Sequence, residues 1–358
     1  MTRALLTMIL GACAYDTHFE DCVVHCTTDE VCPDGLTCKA EGFCRTPGAG
    51  APETCAEVLE TFPSCVGLAK TCGPNADEDC CSTATPIPGG TFFRSYDVAS
   101  DGMYPSMSYP ATVSPFVLDR FEVTVGRFRK FVEAGMGTRA SPPTVGAGAR
   151  RLNGMNAQGG WDANWNASLT ADTAALVAAV KCDGNKQTWT DVAGAIEELP
   201  INCVTWYEAL AFCAWDGGFL PTEAEWHFAA SGGAEQRAYP WSSPAGSTTL
   251  DCAYANYRDC VNPSNVSPSR VGSESPKGDG RWTQADLAGN VWEWTLDGYQ
   301  TPYTIPCNDC TDLTSGAMRM TRGGSFLTDV LNLRNGARFY VPSANRFDYG
   351  IRCARGTL

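Results

Sequence analysis

The stretch that decides the fold runs from Leu199 to Ala230, LPINCVTWYEALAFCAWDGGFLPTEAEWHFAA. Its start and stop signals predict two helices joined by a sharp turn. Thr205 caps the first, in which Trp206, Ala209, Leu210 and Cys213 recur at three- and four-residue steps. Asp216-Gly217-Gly218 ends it, because glycine reaches left-handed backbone angles without strain. Thr222-x-x-Glu225 is then a capping box, with Pro221 just before it and Glu223 and Glu225 facing the positive helix end. Trp226, Ala229 and Ala230 continue the buried stripe. By themselves these residues read as two core helices.

Taken whole, the run resembles the formylglycine-generating-enzyme family, also called sulfatase-modifying factors. The family hallmark is a Val-Ser/Thr-Trp helix, a Trp-Gly turn and LPTEAEWE. Three further runs match in order: FVLDRFEVTVGRFRKFVEAG (116–135), DLAGNVWEWTLD (286–297) and RGGSF…ARF…GIRCAR (322–355). Tyr239-Pro240-Trp241 and Ala255-Asn256-Tyr257 fit family turns as well. The resemblance covers residues 86–358, apart from a stretch near 136–198. It implies an α+β, C-type-lectin-like fold rich in loops, which periodicity alone does not yield.

Outward from this core, composition sets broad limits. With 44% hydrophobic and 18% charged residues the chain is globular, and a net charge of −14 argues against nucleic acid or an anionic membrane surface as a partner. Residues 1–12 read as a signal peptide, with Arg3 before a short apolar run. Leu10-Gly11-Ala12-Cys13 resembles a lipobox, which makes Cys13 a lipidated N-terminus and a lipid anchor the sole membrane contact; a plain secretory signal is the alternative. A Cys-rich module follows at 13–46, then a Pro/Gly linker at 47–52 and a second Cys-rich segment at 53–85 with a short helix at 55–61. The main domain is expected at 86–358. It opens with a strand near 87–93 and a loosely alternating one at 111–118. A helix capped by Thr124 carries Phe128, Phe131 and Val132 and ends at Gly135; after a long loop at 136–160, a further helix spans 171–181.

Nineteen cysteines imply an oxidising compartment, and setting Cys13 aside leaves an even number to pair. The spacing Cys22-x-x-x-Cys26 is compatible with zinc, but secreted usage favours disulfides. The groups at 22–44 and 55–81 hold five cysteines each, so a bridge between them is expected. In the main domain Cys182 is expected with Cys203, and Cys252 and Cys260 with Cys307 and Cys310 in unassigned order. The family resemblance implies that Cys213 pairs with Cys353.

For chemistry, the three histidines are His18, His25 and His227, which leaves one in the main domain. A three-histidine metal centre or a Ser-His-Asp hydrolase therefore has too few imidazoles. The loop 286–293 carries two carboxylates about a glycine, the hard oxygen donors calcium prefers. The resemblance implies a structural calcium at Asp286, Gly289, Val291 and Glu293. It leaves a second calcium site, at Asn256 and Tyr257, without its acidic partner.

Family enzymes place two cysteines after the Gly-Gly-Ser turn, where they bind copper(I) and oxidise a substrate cysteine to formylglycine. Here Gly323-Gly324-Ser325-Phe326-Leu327 is followed by Thr328, and no cysteine occurs from Thr311 to Arg352. Copper(I) is soft and needs thiolates, so copper is not expected. The catalytic residues are thus unassigned. Two readings follow. The favoured one is a non-catalytic binding or structural module for a protein or glycan ligand. The other is an enzyme with different chemistry in the same cleft, drawing on Trp292, Arg322, Ser325 and Thr328.

Overall fold

The structure, a computed structural model, describes residues 37–38, 44–45, 62–150, 159–194, 196–260, 267–314 and 317–356. Its contacts divide the chain into two units, Met1–Thr61 with Leu358 and Phe62–Thr357. In the first, β1 (Thr37–Cys38) pairs antiparallel with β2 (Cys44–Arg45). Cys13, the linker at 47–52 and the helix expected at 55–61 lie outside the described residues.

The second unit takes in residues 62–85, which the sequence pattern sets apart from the main domain. Cys65–Cys81 and Cys72–Cys80 fold this segment on itself. Ser64 then ties it to the core: its N–H donates to Asp216 Oδ1 at 3.0 Å and its hydroxyl accepts from Arg127 Nε at 3.0 Å. The unit therefore begins at Phe62, not near Pro86.

β3 (Gly90–Phe93) pairs antiparallel with β4 (Pro110–Val113). The strand expected over 111–118 breaks at Ser114-Pro115, because proline cannot donate to a ladder. Its second half, β5 (Phe116–Leu118), pairs instead with the last strand of the chain. α1 (Val125–Glu133) is capped by Thr124, and α2 (Thr173–Ala179) by Asp172. α3 (Trp206–Trp215) and α4 (Glu223–Ala230) both start in full capping boxes, at Thr205/Glu208 and Thr222/Glu225. Gly217, at φ +77°, turns the chain between them.

The largest sheet has the order β8 (Phe339–Pro342), β7 (Met318–Arg322), β6 (Trp292–Gly298), β9 (Tyr349–Gly350), parallel only between β6 and β9. β6 is central, and all seven of its residues are buried. A strand covered on both faces has no polar alternation, so periodicity does not reveal it. Trp206 donates its indole N–H to the Thr295 carbonyl at 2.9 Å and Trp294 to that of Val204 at 3.0 Å, which locks α3 to β6. Phe128, Phe131 and Phe212 pack between α1 and α3, each ring contributing about 1.5–3 kcal/mol through burial. β10 (Ala354–Gly356) closes the unit on β5.

The bridges of this unit are Cys182–Cys203, Cys213–Cys353, Cys252–Cys260 and Cys307–Cys310, besides the two near its start. Cys252 and Cys260 close on each other rather than on Cys307 and Cys310. Both pairs are local, with Cα atoms 5.3 and 4.9 Å apart, well within bridging range. Cys213–Cys353 spans 140 residues, which the chain-entropy account values at about 3–5 kcal/mol.

Candidate functional site

β7 ends at Arg322, and Gly323 and Gly324 then turn the chain with φ of +93° and +80°. A Cβ on Gly324 would meet Leu333 Cδ2 at 2.7 Å and Thr328 Oγ1 at 2.9 Å, so only glycine fits. The turn docks on the acidic loop: Gly289 N–H donates to the Gly323 carbonyl at 2.9 Å, and Phe326 N–H to that of Asn290 at 2.8 Å. Ser325 is buried, and its hydroxyl donates to Asp348. Its N–H donates to Thr328 Oγ1 at 2.8 Å, while the Thr328 hydroxyl returns a bond to the Ser325 carbonyl at 3.0 Å. Among the described residues neither hydroxyl meets an imidazole or lysine; Ser325 faces a carboxylate and Thr328 a carbonyl. Trp292 is buried against Phe339, ring centroids 5.3 Å apart.

Arg322 leads into a buried charge cluster that the sequence reading does not anticipate. Its Nη2 lies 2.8 Å from Glu223 Oε1 and donates to the Tyr303 hydroxyl at 3.1 Å. Arg338 grips both oxygens of the same carboxylate, at 2.7 and 2.8 Å. Tyr303 donates to Glu223 Oε1 at 3.2 Å, and the guanidinium groups of Arg94 and Arg338 lie 4.3 and 3.8 Å from its ring centroid. Arg322 also donates to the carbonyls of Asn335 and Ala337. Both terminal nitrogens of Arg322 are thus engaged, while its buried Nε has no partner.

The cluster sets its own ionisation. Burial alone would push the Glu223 carboxyl up; Arg338 and Arg322 outweigh it and bring it down to about 2. Burial pushes Asp297 the other way, up to about 7, against amide bonds from Glu223 and Asp312. His227 is fully buried, and burial together with the three arginines drives it well below the ordinary histidine range. Its Nδ1 lies 3.5 Å from Arg322 Nη2, which suits a neutral, accepting ring. It is a packed core histidine.

Of the expected calcium ligands, Asp286, Gly289 and Val291 lie in the loop before β6 and Glu293 within β6, and the two carboxylates take different partners. Glu293 is held by Arg352, whose Nη2 lies 2.7 Å from Oε1, and accepts the Trp226 indole N–H on Oε2 at 2.6 Å. Asp286 Oδ2 accepts the Gly272 N–H at 2.6 Å, and its other neighbour is the Glu274 carboxyl. Burial pushes Asp286 well above the usual carboxylate range, with the Glu274 charge adding to it. Glu293 is thus taken up by Arg352 and Trp226, and among the described residues no three His, Cys, Asp or Glu side chains gather as a metal site. Glu122, unnoticed in the sequence, is also buried here and accepts from Asn290 Nδ2 at 2.6 Å. Only the three-dimensional meeting of segments 168 residues apart reveals it.

Comparison with known proteins agrees with this geometry. The family described as "Sulfatase-modifying factor enzyme 1-like domain" matches residues 70–357. A formylglycine-generating enzyme of Thermomonospora curvata is 28% identical over 305 residues, 76% of this chain and 93% of that one. An "Inactive C-alpha-formylglycine-generating enzyme 2" of Mus musculus is 32% identical over 289 residues, 75% of this chain and 84% of that one. Among solved structures, PvdO from Pseudomonas aeruginosa superposes with a TM-score of 0.52 at 20% identity, over 76% of this chain and 93% of that chain. At that identity the likeness speaks for the fold alone.

Glu223→Gln tests the charge cluster. Removing the carboxylate leaves Arg322 and Arg338 buried without their anion, and stability at pH 7 is expected to fall by about 3–5 kcal/mol. Because the folded value of Glu223, about 2, lies below its ordinary 4.5, the stabilisation is present above pH 4.5 and is lost as pH falls through 2. The gap between wild type and variant, measured by denaturant unfolding, should therefore narrow in that window. A gap independent of pH would show that Glu223 acts through packing instead of charge.

Proposed function

The chain belongs to the sulfatase-modifying factor family, and from that premise we propose that it is a member without formylglycine chemistry, whose domain serves as a binding or structural module. One observation carries this reading. Thr328 stands where the first copper-binding thiolate would, closed in a hydrogen-bonded turn with Ser325, and every described cysteine of the second unit is in a disulfide. A bridged sulfur is no thiolate, and copper(I) is held poorly by hydroxyl oxygens. The identity to a relative named inactive supports the same reading.

The lectin-like description of the fold fits a binding role. Edge strand β8 presents Phe339 and Tyr340, 42% and 41% exposed, and Tyr299 stacks on Tyr340 with centroids 3.8 Å apart. Such rings suit a protein or glycan ligand, since aromatic faces bury much area at little entropic cost. The disulfides support an extracytoplasmic setting. A lipid anchor at Cys13 is part of the proposal, and mass spectrometry of the mature N-terminus would contradict it by finding an unmodified Cys13. A structural calcium at Asp286, Gly289, Val291 and Glu293 would require Glu293 to give up Arg352; an unfolding temperature identical in calcium and in chelator would contradict it.

The chemical part has a direct assay. Purified protein is incubated with copper(I), dioxygen and a reduced peptide bearing Cys-x-Pro-x-Arg. No aldehyde above the buffer control is expected. Turnover would overturn the reading and would favour the second one, an enzyme with other residues in the same cleft.

A further inference from the structure

The Cys307-Asn308-Asp309-Cys310 loop has features that a purely structural bridge does not need. Its disulfide closes only three residues of sequence separation, where cross-linking constrains the unfolded chain least. The loop is already pinned without it. Thr112 N–H donates to the Cys307 carbonyl and Asp309 N–H to the Thr112 carbonyl, both at 2.8 Å, which seats the loop on β4. The Asp309 carboxylate accepts from Ser114 N–H and Oγ, both at 2.6 Å, and from Arg150 Nη2 at 2.7 Å.

The two sulfurs differ in surroundings. Cys307 is 2% exposed, whereas Cys310 is only partly buried. Arg94 Nη1 donates to Cys310 Sγ at 3.7 Å. This guanidinium is 4% exposed and anchored by the Thr304 carbonyl at 2.7 Å and the Tyr303 ring. Its neighbours Arg322 and Arg338 both pair directly with Glu223; among the described residues no ion pair joins Arg94 to a carboxylate, and its buried Nε has no partner. A thiolate on Cys310 would supply a direct counter-ion, which the more distant charges of Glu223 and Asp297 do not. A cation beside a sulfur stabilises the thiolate and so makes the disulfide easier to reduce.

We propose that Cys307–Cys310 is a thiol–disulfide exchange site for dithiol substrates, with Cys310 as the sulfur that forms the mixed disulfide. A substrate thiolate attacks Cys310 Sγ; the Cys307–Cys310 bond breaks and Cys307 leaves, taking up a proton. The second substrate thiolate then attacks the substrate sulfur of the mixed disulfide, and Cys310 leaves as a thiolate facing Arg94. The substrate loses two electrons and becomes a disulfide, and the bridge gains those two electrons as Cys307 thiol and Cys310 thiolate. This site does not rest on the reading of the Gly-Gly-Ser turn, which carries no cysteine, and it stands or falls independently of the formylglycine assay.

The test equilibrates the full-length protein in graded mixtures of reduced and oxidised dithiothreitol, traps thiols by alkylation and maps them by mass spectrometry. Cys307–Cys310 is expected to open at a less reducing ratio than any other bridge from Cys65 to Cys353, with the fold intact. Cys252–Cys260 is the internal control, being local as well but, among the described residues, having no arginine hydrogen-bonded to its sulfurs. Once reduced, Cys310 should alkylate with an apparent pKa below the ordinary thiol value of about 8.5. Arg94→Gln is expected to slow Cys310 alkylation at pH 7 by about three- to tenfold, and Arg94→Lys to restore part of the rate. Opening of this bridge together with Cys252–Cys260, or an ordinary Cys310 pH profile in the wild-type protein, would overturn the proposal even where the Arg94 variants fail to fold.

Discussion

Arginine in the interior, paired with carboxylates from distant segments, is the constraint on which this structure depends. Arg352 shows it in one residue: it grips Glu293 and donates to the carbonyls of Asp119, Arg120 and Ala285. Asp119 and Asp216 are each shared by Arg127 and Arg355, joining the start of the unit, α1, the end of α3 and the last strand. Glu208 takes Arg346, and Asp97 takes Arg334. A domain with short strands and long loops buries many carbonyls that no ladder satisfies. Arginine has five donors in a fixed fork, enough to serve a carboxylate and several carbonyls together. Breaking such a pair strands a buried charge, at a cost of about 3–5 kcal/mol, so each link holds its loops firmly.

The same device commits the side chains around the Gly-Gly-Ser turn. Arg322, next to the turn, is spent on Glu223, Tyr303 and two carbonyls. Ser325 is tied to Asp348 and Thr328. Phe339 and Tyr340 on the edge strand β8 are exposed. The family's domain is kept while no cysteine lies between Thr311 and Arg352.

Much of this was legible in the sequence, for local reasons. Thr205, Thr222 and Thr124 cap their helices within one turn, and Gly217 and Gly135 end two of them, so the signals lie a few residues apart. Cys182–Cys203 and Cys213–Cys353 bridge as expected from the pattern and from the family resemblance, respectively. What was not legible depends on distance. β6 is buried on both faces and has no alternation, so its place at the centre of the sheet was hidden. Glu223 was readable as a helix-start acid, but its partners Arg322 and Arg338 lie about a hundred residues on. Glu122, beside Asp286 and Asn290, gave no signal for the same reason, and the closure of Cys252 on Cys260 depended on loop geometry that spacing does not encode.

The central claim is that the family's soft-metal centre is absent while its fold is retained. Titration of the folded, disulfide-intact protein with copper(I) against a competing chelator tests it most directly. The account predicts that the chelator keeps all the copper, because no pair of thiolates is offered. Stoichiometric withdrawal of copper(I) from the chelator by the protein, with its bridges shown intact afterwards, would contradict it.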